Sequence, residues 1–388
     1  EILPVKSNSG NWLVNGGKTN TADIPSLVST LLTWERVRSF NVGFDFGAFS
    51  NRLTGSFDYF VRKTVDMVGP APQLPLVLGI APAIVNNADM KSYGFEIELS
   101  WRDRIGEVDY GVKFNLADAQ QKVVKYPNTT NAFNDWYAGK MSGEIWGYTS
   151  LGIAKTDEEM KEHLASLPNG GQNQLGNKWG AGDIMYADIN GDGKVDGGKG
   201  TLADPGDQRI IGNSTPRYNF GLVLDASYKG FDVSIFFQGV GKRDYAPIVG
   251  TNGAVFWGAV NNIWQSMAME EHFDYFRPEG HPMGANLNGY YPRPDFTSNK
   301  NHQVQTRYLQ DASYIRLKNL QIGYTLPKQW INKLHINRCR VYVSGDNLWT
   351  GTSLASMFDP ETLAAGDWGS GKTYPLSKVI SFGLNVNF

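Results

Sequence analysis

The stretch Ser39-Phe40-Asn41-Val42-Gly43-Phe44-Asp45-Phe46 alternates a large apolar residue with a small or polar one. After a turn-prone segment, 47–51, the chain resumes the alternation as Leu53-Thr54-Gly55-Ser56-Phe57-Asp58-Tyr59-Phe60-Val61. A period of two sends successive side chains to opposite faces of a strand, so the two segments read as a β-hairpin. The same alternation recurs outward from this point. Tyr93, Phe95, Ile97, Leu99 and Trp101 oppose Ser92, Glu96, Glu98, Ser100 and Arg102, and Val108, Tyr110, Val112, Phe114 and Leu116 form the next apolar face. Tyr218, Phe220, Leu222, Leu224, Ala226 and Tyr228 then turn at Gly230 into Phe231, Val233, Ile235 and Phe237. Across 314–326 the phase slips, because Ile315 and Leu317 hand over to Leu320, Ile322, Tyr324 and Leu326; a β-bulge near Asn319 accounts for this. The chain closes on Ile380, Phe382, Leu384, Val386 and Phe388.

Alternation alone also suits a soluble sandwich, so the content of each face has to decide. The apolar faces are rich in Phe, Tyr and Trp and free of charge, while the opposite faces mix Glu, Arg, Asp, Ser and Gly. A charge facing lipid at mid-depth costs about 2–4 kcal/mol, which keeps one face clean. The segments also have the roughly 9–11 residues that a tilted membrane-crossing strand needs. The expected fold is therefore all-β, an antiparallel transmembrane β-barrel with long extracellular loops. About ten to twelve candidate strands make a wall too narrow for a plug and bulky cargo, so part of the barrel is expected outside this chain.

Several function classes fall away. With 36 basic and 38 acidic residues the formal charge is −2, which argues against nucleic acid as a partner. A single cysteine, Cys339, rules out internal disulfides and multi-cysteine metal sites. No window reaches the roughly 18 apolar residues of a spanning helix. Glu1-Ile2-Leu3-Pro4 shows neither an initiator Met nor a secretory signal, and the chain is expected to start within a longer protein. His272 and His281 near Glu270, Glu271 and Asp274 lack HExxH spacing, and neither a nucleophile elbow nor a phosphate-binding loop is present. No catalytic residue is assigned, and Cys339 reads as buried filler.

Long connections at 127–143, 156–217, 241–303 and 350–373 carry the remaining signals. One helix is expected at 157–166, with capping-box spacing between Thr156 and Glu159 and a stop at Pro168. Asp188-Ile189-Asn190-Gly191-Asp192-Gly193-Lys194-Val195-Asp196 matches the first nine positions of an EF-hand loop: oxygen side chains at 1, 3, 5 and 9, glycine at 6, and a backbone carbonyl at 7. Position 12 is Lys199, which cannot ligate. A structural Ca2+ is expected on Asp188, Asn190, Asp192, Lys194 and Asp196, completed by Asp207 or, second, Asp204; an acidic turn without metal is the alternative. The 241–303 connection concentrates Trp257, Trp264, Tyr290 and Tyr291 beside Asn252, Asn261, Asn262 and Asn286, and Trp136 and Tyr137 lie in another connection. Flat rings beside amides suit cargo with apolar faces and hydroxyl edges, such as sugars, or a protein partner; loop packing is the plainer role for each ring.

These stretches together resemble the SusC/RagA family of TonB-dependent outer-membrane transporters. The resemblance is carried by Trp34-Glu35-Arg36 leading into Asn41 to Phe46, by Asn51-Arg52-Leu53-Thr54-Gly55-Ser56-Phe57-Asp58-Tyr59-Phe60, and by Gly94-Phe95-Glu96. The 188–196 loop, Gly206-Asp207 through Pro216-Arg217-Tyr218, Tyr314-Ile315-Arg316-Leu317-Lys318-Asn319, Asp346-Asn347-Leu348-Trp349, Asp359-Pro360-Glu361 and the closing strand agree as well. The resemblance implies that residues 1–388 are the C-terminal portion of a 22-stranded barrel, with a calcium loop at 188–207 and with the plug, the TonB-contacting box and the early strands outside this chain. It further implies active import of large nutrients across a Bacteroidetes-like outer membrane, with oligosaccharides as first cargo and peptides as second. The implied partners are a SusD-like lipoprotein, the TonB complex and the lipid bilayer. A passive porin, a barrel enzyme and a soluble calcium-stabilised glycan-binding sandwich remain as competing readings.

Overall fold

The computed structural model describes residues 6–23, 29, 32–69, 83–247, 255–258, 269–295, 300–332, 335–363 and 373–388. In chain order the elements are β1 (Lys6–Val14), β2 (Gly17–Asp23), β3 (Arg36–Ala48), β4 (Leu53–Val68), β5 (Asn86–Ile105), β6 (Val108–Lys125), β7 (Glu144–Gly147), β8 (Ser150–Ile153), α1 (Asp157–Ala165), β9 (Ile184–Tyr186) and β10 (Arg209–Asn213). They continue with β11 (Arg217–Tyr228), β12 (Phe231–Lys242), β13 (Asp244–Tyr245), β14 (Gln310–Asp311), β15 (Tyr314–Thr325), α2 (Lys328–Ile331), β16 (Arg338–Thr352) and β17 (Val379–Asn387).

Nine strands form one sheet in the order β17-β16-β15-β12-β11-β6-β5-β4-β3, with every neighbour antiparallel. The sheet is an open up-and-down meander, with β3 and β17 at its edges. Its connections alternate in length. Tight turns join β3 to β4, β5 to β6 and β11 to β12 at one end, where α2 also lies between β15 and β16. The β4–β5, β6–β11, β12–β15 and β16–β17 connections are long, and all of them return at the other end. At the β11–β12 turn both Lys229 and Gly230 have positive φ, 47° and 91°, the two-residue geometry whose twist matches the flanking strands.

Residues directly opposite in an antiparallel pair share a face, so the register tests the alternation across the whole sheet. Phe46, Gly55, Leu99, Phe114, Leu222, Phe237, Leu317 and Trp349 follow one another across eight strands. The adjacent row, on the other face, is Asp45, Ser56, Glu98, Asn115, Gly221, Gln238, Arg316 and Thr350. One face is apolar from strand to strand and the other is polar or small. The bulge expected near Asn319 is present: the register slips between Leu317 and Asn319, and opposite between Phe236 and Phe237.

No second layer of this chain covers the apolar face among the described residues. Phe40, Phe44 and Phe382 are 62%, 60% and 82% exposed, and Phe57 and Phe95 are shielded only in part. Near the tight turns the face ends in an aromatic belt, where Trp101 Nε1 donates to the Tyr110 hydroxyl at 3.2 Å and the Phe231 and Tyr324 rings lie 4.5 Å apart. Such belts mark membrane–water boundaries. The wall is thus that of a transmembrane β-barrel, and in this structure the barrel is partial. β5 and β6 run to 20 and 18 residues, longer than the expected span. Their surplus lies toward the long connections, where Asp89 pairs with Lys125 and Lys91 with Lys122, while the neighbouring Met90 and Val123 pack with Ala88 and Tyr126 in a small buried apolar cluster.

Candidate functional site

Three of the long connections fold together into a cap. Tyr148, Ile184, Tyr186 and Val195 from the β6–β11 connection, Tyr245, Phe256, Trp257, Tyr291 and Tyr308 from the β12–β15 connection, and Leu354, Phe358 and Leu363 after β16 form one buried cluster. Phe256 sits within it, its ring 5.0 Å from Trp257, 5.3 Å from Tyr291 and 5.9 Å from Tyr308. Burial pushes the Tyr186, Tyr291 and Tyr308 hydroxyls well above the usual tyrosine range and that of Tyr245 up to about 12. All four stay neutral hydrogen-bonding groups at any physiological pH.

A buried ionic network ties two of the connections together. Asp183, fully enclosed, accepts from Arg293 Nε at 2.7 Å and Asn301 Nδ2 at 2.9 Å on one oxygen, and from Arg293 Nη2 at 2.6 Å and Lys300 Nζ at 2.9 Å on the other. Asn301 Oδ1 in turn takes the Ile184 N–H, and the Tyr186 hydroxyl donates to the Lys300 carbonyl at 2.6 Å. With carboxylate, guanidinium and ammonium all engaged, the network satisfies the demand for pairing that burial imposes on charge. It went unread in the sequence because more than a hundred residues separate Asp183 from its partners.

The six aromatic residues expected at a cargo surface fall into separate places. Trp257 and Tyr291 are 1% and 2% exposed inside the cap, so in this structure they pack and present no face to cargo. Tyr290, at the edge of the same cluster, is half-buried, and its hydroxyl accepts from Gln310 at 2.9 Å. Trp136 and Tyr137 lie elsewhere, above β5 and β6. Trp136 stands edge-on to Tyr126 at 6.0 Å, and Tyr137 donates to Glu144 at 2.5 Å beneath the Lys140 ammonium. Trp264, with Asn252, Asn261 and Asn262, lies outside the described residues. His272 is a satisfied loop residue: Nδ1 accepts the Met269 N–H, and Nε2 faces the Val255 and Phe256 carbonyls. Cys339 is buried in β16.

The helix expected at 157–166 is α1, capped by Thr156, whose hydroxyl accepts the Glu159 N–H at 3.1 Å. Below it the acidic loop is a chain of side-chain turns. Asp188 accepts from Gly191 and Gly193 N–H at 2.7 and 2.8 Å, Asn190 from Asp192 N–H, and Asp192 from Lys194 N–H. Gly193 at position 6 has φ +80°, the bend an EF-hand loop requires. Asp207 is fully buried and fastens the loop through its backbone, taking Ile189 N–H on one oxygen and Asp196 N–H on the other. Lys194 Nζ pairs with Asp196, and that hydrogen bond holds the Asp196 carboxyl below the usual aspartate range against the opposing effect of burial. The donor types and the glycine bend fit a hard cation, but among the described residues no three acidic, histidine or cysteine side chains converge as metal ligands. In this structure the Lys194 ammonium supplies the neutralising charge.

A wall apolar outside and polar inside, with long connections gathered at one end, is what a family comparison then places. A family model described as "TonB dependent receptor-like, beta-barrel" matches residues 6–348. The chain belongs to the TonB-dependent receptor β-barrel family. Among curated relatives of this receptor barrel, TonB-dependent receptor P3 of Formosa agariphila is 28% identical over 99% of the chain and 37% of its own length. TonB-dependent receptor SusC of Bacteroides thetaiotaomicron is 20% identical over 94% of the chain and 33% of its own length. The chain thus spans about a third of the length of the curated relatives it matches. The solved structure of the RagAB peptide transporter superposes over the full chain and 38% of its own with a TM-score of 0.70 at 23% identity, a likeness of fold. The receptor-barrel family is one of receptors and transporters, not enzymes.

Proposed function

We propose that this chain is the C-terminal portion of the barrel of an outer-membrane TonB-dependent importer of large nutrients, oligosaccharides first, working with a SusD-like surface lipoprotein. The observation that carries the reading is the pair of adjacent rows, Phe46 to Trp349 facing outward and Asp45 to Thr350 facing inward. The first suits hydrocarbon and the second suits a wet passage. The TonB-dependent receptor relatives support import of this kind, the sugar cargo and the lipoprotein partner come from the motif resemblance of the sequence, and the RagAB likeness, described as a peptide transporter, keeps peptides as the second reading. Half-buried Trp136, Tyr137 and Tyr290 keep enough open surface to contact cargo; Trp264 is retained with them from its sequence context, while Trp257 and Tyr291 support the surface from beneath. The test is a deletion strain complemented with the full-length receptor, grown on oligosaccharides or on peptides, with and without a functional TonB system. Growth restored only on sugars and only with TonB is the expected outcome. TonB-independent uptake identifies a passive porin, and restoration only on peptides exchanges the cargo.

The acidic loop is proposed to take Ca2+ as a structural ion, with Asp188, Asn190, Asp192, the Lys194 carbonyl and Asp196 as donors and Asp207 as the bolt beneath. Calorimetry of the full-length receptor with calcium, and with an Asp188→Ala, Asp192→Ala double variant, tests it. Equal heats for the two proteins remove the metal and leave a loop neutralised by Lys194.

A further inference from the structure

At the long-connection end of the wall, a concave cavity of about 200 Å3 opens where β6, β11 and β12 finish. It is lined by Gln120, Gln121, Arg217 and Lys242 from the strand ends, with Ser142 and Thr215 among the returning segments. The floor is built rigidly. The Ser142 carbonyl accepts from both Asn213 Nδ2 and Thr215 Oγ1 at 2.9 Å, the Gly143 carbonyl accepts the Ser214 N–H at 2.8 Å, and a Cβ at Gly143 would lie 2.4 Å from Thr215 Oγ1. The walls are different. Arg217 has both ends of its guanidinium committed to Asp118, but among the described residues the Lys242 ammonium meets no carboxylate and the side-chain amides of Gln120 and Gln121 have no hydrogen-bond partner. Among the described residues no acidic side chain lines the cavity.

We infer that this cavity binds a carboxylate-bearing terminal unit of the cargo, with Lys242 as the countercharge and Gln121, on the same face of the sheet, as a neutral donor. A preformed floor keeps the ordering cost of binding low, and a free ammonium beside an unpaired amide is complementary to a carboxylate flanked by hydroxyl or amide groups. The volume lies below the roughly 300–1,000 Å3 of drug-sized pockets, which suits one sugar ring or one amino-acid residue and no more. This inference rests on the import reading and names the charge of what that import favours.

The experiment uses the full-length receptor in detergent, titrated with glucuronate against glucose, and with a dipeptide carrying a free or an amidated C-terminus. Glucuronate or the free-acid dipeptide should bind about tenfold more tightly than its neutral counterpart, and Lys242→Gln should abolish that preference. Whichever acid shows the larger preference identifies the source of the carboxylate. Lys242→Arg should retain the preference, which separates loss of charge from misfolding. Equal binding of acid and neutral probes, absence of binding by both, or an unaltered preference in Lys242→Gln would overturn the inference. Uptake is scored separately: import of neutral oligosaccharides with no acid preference leaves the transport reading standing while this one fails, and absence of uptake in cells beside acid-selective binding in detergent does the reverse.

Discussion

Phe382 in β17 is 82% exposed, whereas Phe256 between β12 and β15 is fully buried, and the contrast runs through the two regions they belong to. In the wall, apolar residues point away from the polypeptide and charged or small residues point across the sheet. In the cap, the apolar residues of three connections turn inward on one another, and Asp183 with the Lys300 ammonium is sealed among them. One chain follows opposite rules because its two regions meet different solvents. Hydrocarbon leaves the wall no reason to hide phenylalanine but forbids unpaired backbone groups, which the ladder satisfies. Water imposes the ordinary inward collapse on the cap.

The comparison breaks most sharply at the cap's two densest points. Asp183→Ala leaves the buried Lys300 ammonium and the partly exposed Arg293 guanidinium without this carboxylate, a loss of about 3–5 kcal/mol. Trp257→Ala opens a cavity in the aromatic cluster with a cost of the same order, about 3–5 kcal/mol. Both should make the 127–216 and 243–313 segments of the full-length receptor protease-sensitive while the wall keeps its strand signal in circular dichroism. Joint loss of wall and cap would show the two regions to be one cooperative unit. Next in size is the neighbouring pair in β16: Val343, opposite Ile322 and Phe382, and Ser344, opposite Gln321 and Ser381. Val343→Arg should cost about 2–4 kcal/mol in urea titrations of vesicle-folded protein and Ser344→Arg close to nothing. Equal costs would erase the distinction between the faces.

The smallest effect concerns the seam between the two regions. Arg316, on the polar face of β15, donates to Asp359 at 2.7 Å and to Glu361 at 2.8 Å, and Lys318 reaches Glu361 at 2.7 Å. Burial by itself would raise the Asp359 carboxyl, but the hydrogen bonds from Arg316 and from the Glu361 and Leu376 N–H groups outweigh it, leaving Asp359 below the usual aspartate range. A depressed carboxylate contributes its full stabilisation above its unfolded value of about 3.9 and loses it as pH falls through the folded value. Hydrogen exchange over 353–363, taken relative to the intrinsic amide exchange rate at each pH, should therefore be constant from about pH 7 to about pH 5 and rise only below about pH 4. A rise already complete at about pH 5 would mean that Asp359 does not hold this seam.

The wall was legible in the sequence because its information is local. Eight of the nine strands in the sheet, all but β16, declare themselves by alternation, and even the bulge at Lys318 shows as a change of phase between Leu317 and Leu320. Legibility fades where β5 and β6 rise past the apolar band, since Lys91 faces Lys122 there while the neighbouring Met90 and Val123 are buried by long-range packing that the sequence does not display. It fails in the cap. Trp257 and Trp136 look alike as loop tryptophans, and only contacts such as Trp257 with Tyr308, or Tyr245 with Phe358, over distances of 51 and 113 residues, decide which is enclosed. The acidic loop lies between the two cases. Its turns follow the pattern that was read, but the Lys194 ammonium bound back onto Asp196 was invisible in a template that assigns Lys194 only its carbonyl.

Every long excursion leaves and rejoins the sheet on adjacent strands, an arrangement that on its own would let evolution exchange loops one at a time. The shared aromatic core withdraws that freedom. Phe256 touches Phe358 across two different excursions, and Tyr148 reaches Tyr186 within a third that also packs on the same cluster. A chimaera taking two of these excursions from one homologue and the third from another would inherit mismatched halves of a single interior. Variation in what the molecule recognises is then expected to travel as a linked block, with the barrel strands beneath inherited unchanged.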